Sequence, residues 1–258
     1  MLREVTPSAS DDAARLDATK TAYASEPGWL LPPLTEILPP SPAVCAINLH
    51  RHTWQALQAS SAFLDATGQT ERKRLMWPAE DAEGEAEDDL MMVACQGLED
   101  AAAMLAHLRW YLGVRPEHPT RPRLCPATAA LMAARVADLA FMLGEAGRQA
   151  GGGDLTATLA EHRRAWAAYL ETPDPEETGW DVHHALTGAV DGAVLSVLAM
   201  PCANLADGAA LAAHAQWYSA ELEAAGEDLA DGFSYEVQHL RARAGDWTMF
   251  LGAGSRTA

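Results

Sequence analysis

Apolar residues recur along this chain at helical spacing. Leu98, Ala101, Leu105, Leu108 and Leu112 fall on one stripe when successive residues are turned by 100°. Nowhere do apolar and polar residues alternate with the period of two that marks a half-buried strand. Read with its breakers, the pattern predicts helices over 10–26, 44–67, 85–112 (interrupted near Gly97), 127–147, 155–171, 175–199 and 204–225. A last helix or pair of helices ends at Leu251. Ser10 and Asp154 are suited to cap two of them, because a side-chain oxygen there accepts from a free N–H of the first turn. Pro27 to Pro42 is too proline-rich to continue a helix and reads as an extended arm over 27–43, anchored by Trp29. Four prolines make 113–126 a linker, and Gly151-Gly152-Gly153 makes a flexible joint. The expected class is all-α.

The pattern also repeats. Cys95 to Tyr111 and Cys202 to Tyr218 agree at nine of 17 positions at a constant offset of 107, among them Cys95/Cys202, Asp100/Asp207, His107/His214, Trp110/Trp217 and Tyr111/Tyr218. His50 and Trp54 return as His162 and Trp166, at offset 112. Arg135, Asp138 and Phe141-Met-Leu-Gly144 return as Arg243, Asp246 and Met249-Phe-Leu-Gly252, at offset 108. Alanine matches are cheap in an alanine-rich chain, but Cys, His, Trp and Tyr matches are not. The reading is an internally duplicated helical bundle of two pseudo-symmetric units with about four helices each. An N-terminal segment, 1–43, precedes unit 44–147, joint 148–153, unit 154–252 and tail 253–258.

Trp166, Pro201, Leu205, Gly208, Ala209 and Ala210 follow a Trp-bearing helix with a Pro-led Leu-Gly-Ala-Ala segment. Over about a third of the chain this resembles a group of uncharacterised helical proteins of alphaproteobacteria, often associated with phage or mobile elements. The resemblance implies no known activity. The first copy departs from it with Ala94 in place of Pro201, and Ala212 and Ala213 stand where a basic residue is expected.

Composition narrows the partners. At 49% hydrophobic with eight tryptophans, the chain can bury a core. A formal charge of −18 repels nucleic-acid backbones and anionic membranes, so neither is expected to bind directly. A protein partner is expected, with a homo-oligomer as a further option. Inverted, the same charge suits a DNA-mimic inhibitor. Cys45, Cys95, Cys125 and Cys202 have neither disulfide-framework nor zinc-ribbon spacing, and there is no 18-residue apolar run. The expectation is a cytoplasmic protein.

No nucleophile elbow, phosphate loop or Walker motif occurs, which leans the reading away from an enzyme. The best site candidate is the doubled polar trio Asp100, His107, Tyr111 and Asp207, His214, Tyr218, which falls on one face of each helix. Seven residues separate Asp100 from His107, about 10.5 Å along the axis, so partners must come from other helices. The alternative is that these side chains only fix the packing of the units. No cofactor is required by the pattern. A metal ion would draw on His50, His107, His162 and His214, and a small-molecule or metal site at the pseudo-twofold would be lined by His107, His214, Tyr111 and Tyr218. Only Glu236 and His239 have the Glu-x-x-His spacing of carboxylate-bridged metal bundles, and Thr128 replaces the glutamate in the first copy. His183 and His184 read as a solvated helix face. The seven acids between Glu80 and Asp89 read as surface charge, in a loop or the first turn of a helix. The leading function is a non-enzymatic interaction protein.

Overall fold

Helices begin and end close to the breakers. The computed structural model describes residues 40–67, 72–115, 126–145, 153–172, 175–226 and 232–254. The expected helix 10–26 and the arm around Trp29 lie outside them, as do most of the proline linker and of the glycine joint. Among the described residues there are nine helical segments and no strand, so the chain is all-α. They are α1 Pro42–Thr67, α2 Arg72–Met92, α3 Leu98–Val114, α4 Pro126–Met142, α5 Leu155–Leu170, the single turn α6 Pro175–Thr178, α7 Trp180–Ala199, α8 Leu205–Ala225 and α9 Ser234–Gly254. Asp154 caps α5 by accepting from the Ala157 N–H at 3.1 Å. Asn204 caps α8 in the same way through the Asp207 N–H.

Three boundaries differ from the expectation. Helix α2 starts well before Glu85 and runs through Pro78 and the whole acidic stretch, so that stretch is neither a loop nor a first turn. Helix α4 stops at Met142 because Gly144 turns left-handed (φ 71°). Gly144 N–H then bonds Phe141 O and Glu145 N–H bonds Ala140 O, the paired bonds of a Schellman cap. The helix expected over 175–199 breaks at Gly179 (φ 92°), which separates α6 from α7.

The described residues form one compact unit around one hydrophobic cluster. Trp54 and Trp166 anchor that cluster from α1 and α5 as core residues. Helix α1 packs on α2 and α3, and α5 packs on α7 and α8. The fourth helix of each sequence unit crosses over: α4 packs on α7, and α9 packs on α2. Trp247 of α9 is fully buried against Gly208 of α8, where any Cβ would collide with the indole. Helix α7 is long and apolar enough to cross a membrane by length and composition alone, although it contains no unbroken apolar run of 18 residues. Its buried face, including Val190, Val194 and Val197, belongs to the shared core.

Two buried ion pairs tie the crossover. Arg135 of α4 donates from Nε to Asp246 of α9 at 2.9 Å, and Arg243 of α9 donates from Nε to Asp138 of α4 at 2.6 Å. Arg135 Nη2 also donates to Asp246 and Arg243 Nη2 to Cys202 Sγ, and the other guanidinium bonds go to carbonyls at helix ends. Arg135 bonds Leu90, Met91 and Val93, and Arg243 bonds Val197, Leu198 and Met200. Each aspartate also accepts a backbone N–H, Asp246 from Cys95 and Asp138 from Cys202. These bonds satisfy orphan carbonyls at helix C-termini, and they neutralise charges that burial would otherwise make costly. Burial and the adjacent aspartate push the Cys95 and Cys202 thiols up, so both behave as packing groups.

Candidate functional site: two buried histidine–tyrosine clusters

The histidine of the first helix in each sequence unit meets the histidine of the third. His50 Nδ1 on α1 lies 2.9 Å from His107 Nε2 on α3, and His162 Nδ1 on α5 lies 2.8 Å from His214 Nε2 on α8. A tyrosine one turn on stands edge-to-face against the first ring, Tyr111 on His50 at 4.4 Å and Tyr218 on His162 at 4.5 Å. Trp54 and Trp166 close the clusters against the same tyrosines. All four histidines and both tyrosines are buried. Desolvation is the main reason that His107 is pushed down to about 3, His214 to about 3 and His162 to about 4. These three rings are neutral at physiological pH.

The structure does not join the sequence trios as drawn. Asp100 accepts from Ser41 Oγ at 2.6 Å and from the Gln96 N–H, while Asp207 accepts from the Ala203 N–H and from Asn204 Nδ2. Both aspartates serve the starts of α3 and α8, two turns from the histidines, which is the axial separation their spacing imposes. The four residues assigned to a single site at the pseudo-twofold instead divide into two clusters, His107 with Tyr111 and His214 with Tyr218. Each histidine takes its partner from its own sequence unit. His239 is buried with neither ring nitrogen hydrogen-bonded among the described residues, and its ring lies tilted against that of Tyr235, 4.5 Å between centroids.

Around the first cluster stand charges that the second lacks. Tyr111 Oη lies 2.6 Å from Glu83 Oε1 and 2.5 Å from Glu87 Oε2, and it accepts from Arg115 Nη1 at 2.8 Å. Arg115 also donates to Glu83 at 2.8 Å, and His50 Nε2 faces the same carboxylate oxygen at 3.8 Å. A tyrosine hydroxyl has one hydrogen and two lone pairs. Two carboxylate contacts therefore exceed the one hydrogen that the hydroxyl can donate, and burial is the chief cause raising the Glu87 carboxyl above its ordinary pKa. Arg51 Nε donates to His107 Nδ1 at 3.2 Å, which places the His107 proton on Nε2, toward His50, and the His50 proton on Nε2, toward Glu83.

At the positions 107 residues further on, Val190, Val194 and Leu222 stand in place of Glu83, Glu87 and Arg115. Arg163 lies over the Trp217 ring at 4.9 Å instead of bonding a histidine. Among the described residues, the Tyr218 hydroxyl, His162 Nε2 and His214 Nδ1 have no hydrogen-bond partner. Sequence reasoning missed Glu83, Glu87, Arg51 and Arg115. Glu83 and Glu87 are buried in α2, not on the surface with the other acids of their run. Their signal was phase, because 83 and 87 share the helical stripe of Met76 and Leu90.

One nitrogen and two carboxylate oxygens, from His50, Glu83 and Glu87, all lie within 4.8 Å of one another, a group able to hold a metal ion. His107, proposed as a ligand from sequence, is the outer partner of His50. No family model, no curated protein and no solved structure matches the chain.

Proposed function

We propose that the chain is a duplicated, non-enzymatic binding protein whose single ligand centre lies in the first half, at His50, Glu83, Glu87, Tyr111 and Arg115. The second half keeps the histidine–tyrosine framework as its structural counterpart. The observation that carries this reading is the joint replacement of Glu83, Glu87 and Arg115 by Val190, Val194 and Leu222 around a conserved geometry of rings. An apolar set supports the second cluster, so the charges around the first are not a requirement of the packing. Buried charges are seldom the most stable way to fill a core, which favours their retention for a ligand. Burial of every member supports sequestration over turnover. The test is native mass spectrometry of the full chain beside a Glu83→Val/Glu87→Val/Arg115→Leu variant. A bound species carried by the first and absent from the folded second is expected. A species carried equally by both, or by neither, sinks the reading.

A protein partner remains the second reading, supported by Trp180 and Val182, exposed at 61% and 47% at the start of α7. Photo-crosslinking from position 180 in cells tests it, and a chain that forms no adduct ends it.

A further inference from the structure

The strongest unassigned chemistry in the described chain is the donor set between α1 and α2. We infer that the first-half centre binds one divalent first-row transition cation, such as zinc or manganese, through His50 Nε2 and the carboxylates of Glu83 and Glu87. This rests on the binding reading above and names the ligand class for the same centre.

Three features of the site lead to a cation. The donors come from two different helices and converge, with His50 and Glu83 fully buried and Glu87 only 9% exposed. Acids that merely decorate a surface do not meet this way, and Glu80, Asp81 and Glu85 of the same run lie at exposed or half-buried positions. Two carboxylates also meet at one tyrosine hydroxyl, where the Arg115 guanidinium supplies one positive charge, so a bound cation would balance the second carboxylate. Finally, the related cluster of the second half keeps both histidines and the tyrosine but has no carboxylate at these positions, so its histidine pair has a packing role that needs no acids.

The class of cation follows from the donors. An imidazole nitrogen with two carboxylates favours borderline first-row ions, whereas calcium and magnesium prefer an all-oxygen shell. With a metal on Nε2 the His50 proton would stand on Nδ1 and be donated to His107 Nε2, the His107 proton moving to Nδ1, and Tyr111 would orient both carboxylates, the outer partners that metal ligands regularly have. Arg115 would remain as the counter-charge on Glu83.

The experiment is equilibrium dialysis of the full chain, stripped with chelator, against zinc and separately against calcium, with metal counted per chain. One zinc per chain and no calcium is expected. Glu87→Gln preserves the hydrogen bond to Tyr111 and His50→Gln preserves a polar side chain. Each should weaken zinc binding at least about tenfold while melting close to wild type. His183→Ala/His184→Ala should bind as wild type does. Zinc binding that survives the first two variants and disappears in the third overturns the assignment as adventitious surface binding. A folded wild type that binds no zinc, yet carries an organic species lost in the Val/Val/Leu variant, overturns the metal and leaves the binding reading standing. If neither zinc nor any species binds, both fall. Should Glu87→Gln and His50→Gln both fail to fold, the Val/Val/Leu variant decides, because full zinc binding there overturns the assignment.

Discussion

Both clusters set two histidine ring nitrogens less than 3 Å apart against a tyrosine edge and a buried tryptophan, yet acids and a guanidinium bond the tyrosine of the first, whereas Val190, Val194 and Leu222 stand at the corresponding positions of the second. In the second, a tyrosine hydroxyl and two ring nitrogens are buried without hydrogen-bond partners among the described residues. Such atoms are usually paired in folded proteins. Their presence shows that the arrangement of rings is held by packing and by the histidine–histidine bond. The first cluster adds two acids, a guanidinium and a hydrogen bond from Arg51 to the same arrangement. Comparing the two separates what the framework needs from what has been placed on it.

Acid should break both clusters, with the largest effect. His107, His162, His214 and His239 are all held neutral by burial, at about 3 to about 4. The unfolded chain takes up their protons first, below about pH 6.5. Stability is therefore full above that pH and falls as pH drops toward the folded values, by about 1.4 kcal/mol per pH unit for each histidine. Urea midpoints at pH 8, 6 and 5 measure this, and His214→Gln should flatten the slope by one proton's worth. A flat profile would mean that the histidines are accessible to protons in the folded state.

Arg135→Met and Arg243→Met should each cost about 3–5 kcal/mol, because each leaves a buried aspartate uncompensated. Equal losses in chemical denaturation would show that the crossover is symmetric in energy as well as in geometry. Tyr111→Phe and Tyr218→Phe should part company. The first removes a hydroxyl from charged partners and should cost about 1–3 kcal/mol, while the second removes an unpartnered hydroxyl and should be neutral or slightly stabilising. A similar cost for both would mean that the second hydroxyl has a partner after all. The smallest effect concerns Arg51. Its bond to His107 pins the tautomer that points a proton from His50 toward Glu83, so Arg51→Gln should tighten zinc binding by about fivefold, near 1 kcal/mol. Weaker binding in that variant would contradict the proton order drawn for the pair.

Much of the fold was legible because prolines, glycines and capping residues speak locally. Asp154 caps α5 as its position suggested, and the all-α class follows from the missing period-two alternation. The acids of α2 were misread because a run of seven carboxylates looks solvated when counted by charge. Only the phase they share with Met76 and Leu90 separates Glu83 and Glu87 from Asp81 and Glu85. Asp100 was grouped with His107 by angle around the helix, although the two are separated along it. The crossover was hidden for a different reason. Arg135 and Asp138 stand three apart on one helix and look like a local pair, yet each bonds a residue more than 100 positions away. Recurrence in a sequence marks which segments match, but not which of them exchange partners.

That exchange also sets a timetable for synthesis. The guanidinium of Arg135 is completed by Asp246, which lies 111 residues later in the chain. At about 5–20 residues per second, the ribosome needs roughly 6 to 22 s to add that stretch. For those seconds Arg135 and Asp138 of α4 both lack the partners that α9 brings. A chain truncated before Asp246 therefore keeps the Arg135 bonds to Leu90, Met91 and Val93 but loses its buried counter-charge.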